Sequence, residues 1–263
     1  MEPSPLGSVD KALLTLDALG RAGADGTSLA ALSTEVGANK STLHRTLAAL
    51  RHRGYAEQSA DGTYRLGPAV LGLASAFLAE ENLPALLRPA LDALSAEVDE
   101  LVHLGVLAGQ EVVYLEKVEP RRAVRVWSAV GRRRPAATTA LGRALLAAGP
   151  LSAGPLSAGP DGGTPETEAA LAAYTAPGTT TDRLRAAVDE ARRTGVATET
   201  EENEPGIACA AVAVLRAGRP LAAVSITAPV ERMTGPARDA RISALRELLP
   251  TVLPAGLAVP PAP

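Results

Sequence analysis

Asn39-Lys40-Ser41-Thr42-Leu43-His44-Arg45-Thr46-Leu47-Ala48-Ala49-Leu50-Arg51-His52-Arg53-Gly54 is the stretch on which the reading of this chain turns. As a helix it places Leu43, Leu47 and Leu50 on one inward stripe and leaves Lys40, Ser41, Thr42, His44 and Arg45 outward. Asn39 is suited to cap its N-terminus and Gly54 to end it, so the first turn offers free backbone N–H groups beside two hydroxyls. Such a face suits phosphates and base edges. The plain alternative is a solvated amphipathic helix, and the helix taken alone does not decide between them.

Its neighbours do. Upstream, Val9, Ala12, Leu13, Leu16 and Leu19 recur with helical spacing over 8–21, and glycines at 20, 23 and 26 break the pattern. Ser28 is placed to cap a short helix with Leu29, Leu32 and Val36 inward, ending at Gly37. Two short helices across a tight glycine turn have the spacing of a helix-turn-helix, whose second member enters the major groove. Downstream the period becomes that of strands, with 55–58 and 63–66 flanking Asp61-Gly62, a strong hairpin turn that makes a wing. Arg65 and Gln58 would reach the adjacent backbone, whereas Tyr55 and Tyr64 read as packing residues.

Beyond the wing, 68–81 is helical with apolar residues on two adjoining faces, Val70, Leu73 and Phe77 beside Leu71, Ala74 and Leu78, which suits a linker that also packs on a second subunit. A helix over 84–98 opens the next domain. Strands are expected at 101–107, 111–118, 123–129, 206–215 and 220–227, and a helix capped by Thr138 or Thr139 runs to Ala148. Helices at 166–174, 182–194 and 236–249 complete it. The segment 149–165 repeats Leu-Ser-Ala-Gly-Pro and reads as a tether. The expected division is a DNA-binding domain at 1–67, a linker helix at 68–83, an effector-binding and oligomerisation domain at 84–253 and a flexible tail at 254–263.

Composition narrows the classes. With 46% hydrophobic residues the chain builds real cores, and with 2% aromatics it lacks the stacking platforms of single-strand binders. The net charge of -3 gives no global attraction to nucleic acid, so binding must come from a local patch such as Lys40, Arg45, Arg51 and Arg53. A single cysteine, Cys209, excludes an intrachain disulfide and fits a cytoplasmic setting; no secretory leader or spanning run is read. No metal-spaced His/Cys set, nucleophile elbow or phosphate-cradling loop occurs, so neither a catalytic residue nor a metal nor a cofactor is expected. His103, on a strand-like stretch, reads as a packed or hydrogen-bonded histidine, and Cys209 as buried filling. The run Arg132-Arg133-Arg134 reads as a solvated loop.

The chain resembles the IclR family of bacterial transcription regulators. The likeness rests on Ser8-Val9-Asp10-Lys11-Ala12-Leu13, Lys40-Ser41-Thr42-Leu43-His44-Arg45-Thr46-Leu47 and Tyr64-Arg65-Leu66-Gly67 in the first part. In the second it rests on Val113-Tyr114-Leu115-Glu116-Lys117-Val118, Val130-Gly131 with Pro135, Ala140-Leu141-Gly142-Arg143-Ala144-Leu145 and Gly206-Ile207-Ala208-Cys209-Ala210-Ala211. The resemblance implies an α+β protein, with an N-terminal winged helix-turn-helix joined by a linker helix to a GAF-like α/β effector domain. It also implies a homodimer or dimer of dimers on double-stranded operator DNA, acting as a repressor. An effector pocket carried over from the family falls on Ala140, Leu141, Glu199, Ile207, Cys209, Ser225 and Thr227, which suits a small organic acid or aromatic metabolite. Two departures bear on that ligand: the family's usual lysine is Arg143, and the histidine common two residues after the proline is Ala137.

For DNA, Arg45 is the candidate for guanine, with Ser41, Thr42 and His44 beside it. Lys40, Arg51, Arg53 and Arg65 are candidates for phosphates, and Ser28 and Asn39 stand at the two helix N-termini. Two other readings stay open here: a DNA binder without effector or responsive through the Cys209 thiol, and a C-terminal domain that is a small-molecule enzyme.

Overall fold

The computed structural model describes residues 7–80, 82–123, 126–149, 170–174 and 176–261. It divides into two compact units, 1–82 and 83–263. In the first, helices α1 (Gly7–Ala22), α2 (Leu29–Val36) and α3 (Lys40–His52) close on Leu19, Leu32, Leu43 and Leu47, all fully buried. A hairpin of β1 (Ala56–Gln58) and β2 (Tyr64–Leu66) covers one end, and Tyr64 is buried in the core as a packing residue. Thr27 pairs with Tyr64 through two backbone hydrogen bonds of 2.8 Å. Only a glycine fits at 26, where φ is +69° and a Cβ would stand 2.7 Å from the Tyr64 carbonyl oxygen.

Helix α1 turns a different stripe inward from the one its apolar spacing suggests. Thr15, Ala18 and Leu19 are buried, whereas Val9 and Leu13 are 52% and 57% exposed. Thr15 is admitted because its hydroxyl donates to the Lys11 carbonyl at 2.6 Å, leaving no unsatisfied polar group. Helix α4 (Ala69–Glu80) follows the wing, with Leu71 69% and Leu73 60% exposed. Residue 81, the expected end of that helix, lies outside the described residues.

The second unit is a mixed α+β domain. Helix α5 (Leu83–Val98) leads into the hairpins β3 (Leu101–Ala108) with β4 (Glu111–Val118) and β7 (Ile207–Arg216) with β8 (Arg219–Pro229). With β5 (Arg133–Pro135) and β6 (Ala197–Thr200) they form an antiparallel sheet in the order β5-β4-β3-β8-β7-β6. Helices α6 (Ala140–Ala148) and α7 (Thr181–Thr194) cover one face, where Leu141, Leu145, Leu184 and Val188 meet Val112, Ala211 and Ala223. On the other, α5 and the closing helical stretch pack Leu87, Leu91, Leu94 and Leu245 against Val102, Leu104, Val212 and Ile226. That stretch runs as α8 (Gly235–Ser243), a π-helical turn Ala244–Leu248 and α9 (Leu249–Val252). Buried Glu100, immediately before β3, accepts from Arg232 at 2.7 and 2.8 Å and from Arg241 at 2.6 Å, which ties the closing stretch to the sheet.

The sheet differs at its edges from the sequence reading. The strand expected at 123–129 is not one over its described part: residues 126–129 make no ladder, and 124–125 lie outside the described residues. The edge strand is β5 instead, so Arg133 and Arg134 are strand residues, and Arg133 pairs with Glu111 at 2.7 Å. The turn at Val130 and Gly131 causes the displacement: Gly131 donates to the Tyr114 carbonyl, and Tyr114 donates to that of Arg132. The tail expected to be flexible is pinned, because Leu257 and Ala258 form β9 against Arg216 and Leu215 and Val259 packs on the core. Strand β6, in the polar run Thr198-Glu199-Thr200, went unexpected; it shows one face to the core and the other to water. The tether at 149–165 lies outside the described residues beyond Gly149, as does the helix expected at 166–174 before residue 170.

Candidate functional site

Helix α3 is built as a platform. Asn39 Oδ1 accepts the Thr42 N–H at 2.8 Å and fixes the N-terminus, while Leu43 and Leu47 anchor the helix in the core. Deleting such a side chain costs about 2–5 kcal/mol, so the anchoring is strong. Lys40, Ser41, His44, Arg45 and Arg53 are exposed, and their side chains make no hydrogen bond or ion pair among the described residues. Thr42 is half-buried and accepts the Thr46 hydroxyl at its carbonyl, 3.1 Å. Arg45 borders a shallow groove of about 390 Å³ with Thr42, Thr46 and Ala49 on one side and Ser8 and Ala12 of α1 on the other.

The other cations of this unit are partly committed. Arg51 donates to Gln58 Oε1 at 2.8 Å, which links the end of α3 to the wing. Arg65 forms a two-donor pair with Glu57, its partner in register, at 2.9 and 3.1 Å. Ser28 is exposed and spends its hydroxyl oxygen on the Ala31 N–H at 3.2 Å. Asp61 Oδ1 accepts from the Thr63 N–H and hydroxyl, and those bonds hold its carboxyl below the usual range and set the wing tip.

In the second unit the register assembles a polar row. Glu199 on β6 faces Cys209 on β7, and Cys209 faces Thr227 on β8; one step along, Ser225 faces His103 on β3. Directly paired residues share a face, and this is the face where Ala140 and Leu141 of α6 are packed, so all of these side chains lie on the α6 side. The Cys209 sulfur and the Thr227 hydroxyl are 3.3 Å apart. The His103 ring accepts or donates at both nitrogens, to Ser128 Oγ at 2.6 Å and Thr227 Oγ1 at 3.4 Å, and stacks on Tyr114 at 4.5 Å. Burial, with Lys117 and Arg132 adding like charge, pushes its pKa down to about 3, so the ring is neutral. Burial also raises the Glu199 carboxyl, the Tyr114 phenol and the Cys209 thiol.

His103, Tyr114 and Ser128 were not among the site residues read from the sequence. His103 is the packed, hydrogen-bonded histidine expected, yet its place beside Ser225 depends on a strand pairing between segments 120 residues apart. Arg143 has a structural post: it donates to the Ala137 carbonyl at 2.9 Å, the Thr198 carbonyl at 3.0 Å and both Glu202 oxygens at 2.6 and 2.9 Å. The start of α6 is thereby tied to β6 and to the acidic turn after it. Thr139 caps that helix by accepting the Gly142 N–H at 3.1 Å, and at Gly142 a Cβ would stand 2.2 Å from the Ala136 carbonyl oxygen.

Comparison with known proteins agrees with both units. Residues 8–60 match the model of the IclR helix-turn-helix domain, and residues 75–250 match that of the bacterial transcriptional regulator IclR C-terminal domain. The HTH-type transcriptional regulator XynR of Escherichia coli is 34% identical over 250 residues, 92% of each chain. A crystal structure of an IclR transcriptional regulator from Silicibacter superposes with a TM-score of 0.72 at 31% identity, covering 94% of this chain and 95% of that one. An IclR homologue from Microbacterium hydrocarbonoxydans, solved with 4-hydroxybenzoate, shares the fold with a TM-score of 0.65 at 24% identity, over 90% of this chain and 97% of the other. With the helix-turn-helix, the α+β domain behind it and both family models in agreement, the chain belongs to the IclR family of bacterial transcriptional regulators, DNA-binding proteins of the helix-turn-helix class.

Proposed function

We propose that this protein is an operator-specific repressor whose grip on DNA is set by a small molecule held on the α6 face of the C-terminal sheet. The observation that carries the DNA part is the outward face of α3: a helix anchored by Leu43 and Leu47 presents Lys40, Ser41, His44 and Arg45 without partners among the described residues. Arg45 reads guanine and Ser41 and Thr42 reach phosphate or base edges, each good pair discriminating by about 1–3 kcal/mol. Lys40, Arg51, Arg53 and, once released from Glu57, Arg65 hold phosphates. A few such contacts make a weak monomer, so a dimer or dimer of dimers on repeated half-sites is the working form. The exposed Leu71 and Leu73 of α4, with Val9 and Leu13 of α1, supply apolar surface for a second copy.

Glu199, Ile207, Cys209, Ser225 and Thr227, with Ala140 and Leu141 above them, form the effector site, and ligand binding shifts DNA affinity by its differential affinity for two arrangements of the dimer. The neutral His103, whose ring nitrogens face two hydroxyls and no carboxylate among the described residues, favours a binding role for this domain over a catalytic one. No helix among the described residues is long and apolar enough to cross a membrane; the proposed work on operator DNA is work in the cytoplasm. A gel-shift titration of the DNA upstream of its own coding sequence tests the proposal: a specific complex that survives excess competitor supports it, and equal affinity for unrelated DNA overturns it.

A further inference from the structure

We propose that the polar row on the α6 face takes an uncharged, hydroxyl-bearing small molecule that donates a hydrogen bond to Glu199 Oε1, and that a carboxylate is rejected at that position. This rests on reading the row as the effector site and adds the chemical class of the ligand. Glu199 is 3% exposed, and its two oxygens have unequal lives. Oε2 accepts the backbone N–H groups of Glu202 at 3.1 Å and Asn203 at 3.4 Å. Oε1 is buried with no hydrogen-bond partner among the described residues. The Cys209 thiol is near enough to Glu199 to lower its carboxyl as a hydrogen-bond donor does, yet its hydrogen-bonding geometry is met at Thr227 Oγ1, 3.3 Å away, and not at Oε1. An unsatisfied buried acceptor is costly, so a donor delivered there recovers more than an ordinary surface hydrogen bond.

The row is reachable. Strand β7 has neighbours along both edges, β8 and β6, and α6 packs on this face, so its residues here ought to be covered. Ala211 is fully buried, but Cys209 and Ile207, toward the Glu199 end, keep part of their surface exposed. Access therefore lies beside the unpartnered oxygen.

The surrounding charges decide between donor and anion. Arg143 on α6 is committed to Ala137, Thr198 and both oxygens of Glu202. Lys117 on β4 donates to Glu119 at 2.7 Å and to the Ser128 carbonyl. Arg132 lies 4.9 Å over the ring of Trp127, which is itself 70% exposed. Burial holds His103, Tyr114 and Cys209 neutral; it also raises the Glu199 carboxyl, against which the N–H groups of Glu202 and Asn203 and the charge of Arg143 favour the ionised form, and the turn after β6 adds Glu202 and Glu204. A carboxylate placed at Oε1 meets an acid and no uncommitted cation among the described residues, whereas a hydroxyl meets an empty acceptor.

The test uses phenol and benzoate, which share a ring and differ in donor against anion, in calorimetric titrations of the full chain at neutral pH. Glu199→Gln is the discriminating variant. Two backbone N–H groups need its carbonyl oxygen, so its amide NH2 must turn toward the ligand, changing acceptor into donor without changing shape. The expected result is that phenol binds the wild type at least about tenfold tighter than benzoate and slows iodoacetamide alkylation of Cys209, and that Glu199→Gln reverses the order. Benzoate binding as tightly as phenol, the same order in Glu199→Gln, or no slowing of alkylation by millimolar phenol overturns the proposal. If phenol meets all three expectations yet leaves the gel shift of upstream DNA unchanged, the ligand class stands and the effector reading of the row falls.

Discussion

His103 Nε2 lies 2.6 Å from Ser128 Oγ, and the ring's other nitrogen faces a second hydroxyl, Thr227 Oγ1, where a catalytic dyad would have a carboxylate. The pair locks the loop before β5 onto β3. It also makes the stability of this domain depend on pH. The unfolded chain takes up a proton near 6.5, whereas the folded ring refuses one until about 3, so the stability it contributes is complete above 6.5 and is lost as pH falls toward 3. The slope approaches about 1.4 kcal/mol per pH unit in that window. Trp127 is the only tryptophan and lies in the second unit, so urea transitions followed by its fluorescence report this domain. His103→Gln should flatten the slope between pH 6.5 and 4; a variant as steep as the wild type would show that His103 is not its source.

Arg143 and Glu202 form a bidentate pair in which the arginine is 3% exposed. Arg143→Ala leaves two buried carbonyls and a carboxylate without donors, and should destabilise the C-terminal unit by about 3–5 kcal/mol. Arg143→Lys keeps the charge but lacks the planar fork, so it should fall between. Loss of less than about 1 kcal/mol in Arg143→Ala would mean that solvent replaces the pair freely.

The wing holds a cation in reserve. Arg65 is paired to Glu57 at 2.9 Å, both half-exposed, so the pair itself adds little stability. Glu57→Gln frees Arg65 for phosphate. Affinity for DNA of any sequence should rise and the salt dependence should steepen by about one phosphate contact. Unchanged slopes in salt titrations by fluorescence anisotropy would place Arg65 away from the backbone.

Much of this was legible in the sequence where local order decides the structure. Asn39, Leu43 and Leu47 mark α3 because cap and stripe lie within one segment, and Asp61-Gly62 marks the wing for the same reason. Of the two threonines read as a possible cap, Thr139 caps its helix by the same local rule. What sequence left dark depends on distant partners. Strand β5 sits at 133–135 because Gly131 and Arg132 bond to Tyr114, and β9 exists because Arg216 and Leu215 are there to pair with it. The stripe that α1 buries keeps Leu19 but departs from the apolar spacing at Thr15, which can enter the core because its hydroxyl is satisfied within the helix, while Val9 and Leu13 stay exposed. In the polar row, Cys209, Ser225 and Thr227 entered through resemblance, and the unpartnered oxygen of Glu199 was visible only once the turn at 202–203 had claimed the other.

Helix α3 is proposed to read DNA through Arg45. That role is tested most directly by measuring the affinity of wild type and Arg45→Ala for upstream operator DNA and for a scrambled duplex of equal length, at one salt concentration. Arg45→Ala should lose about 1–3 kcal/mol of preference for the operator while keeping salt-dependent binding to both. An affinity ratio equal to that of the wild type would contradict it.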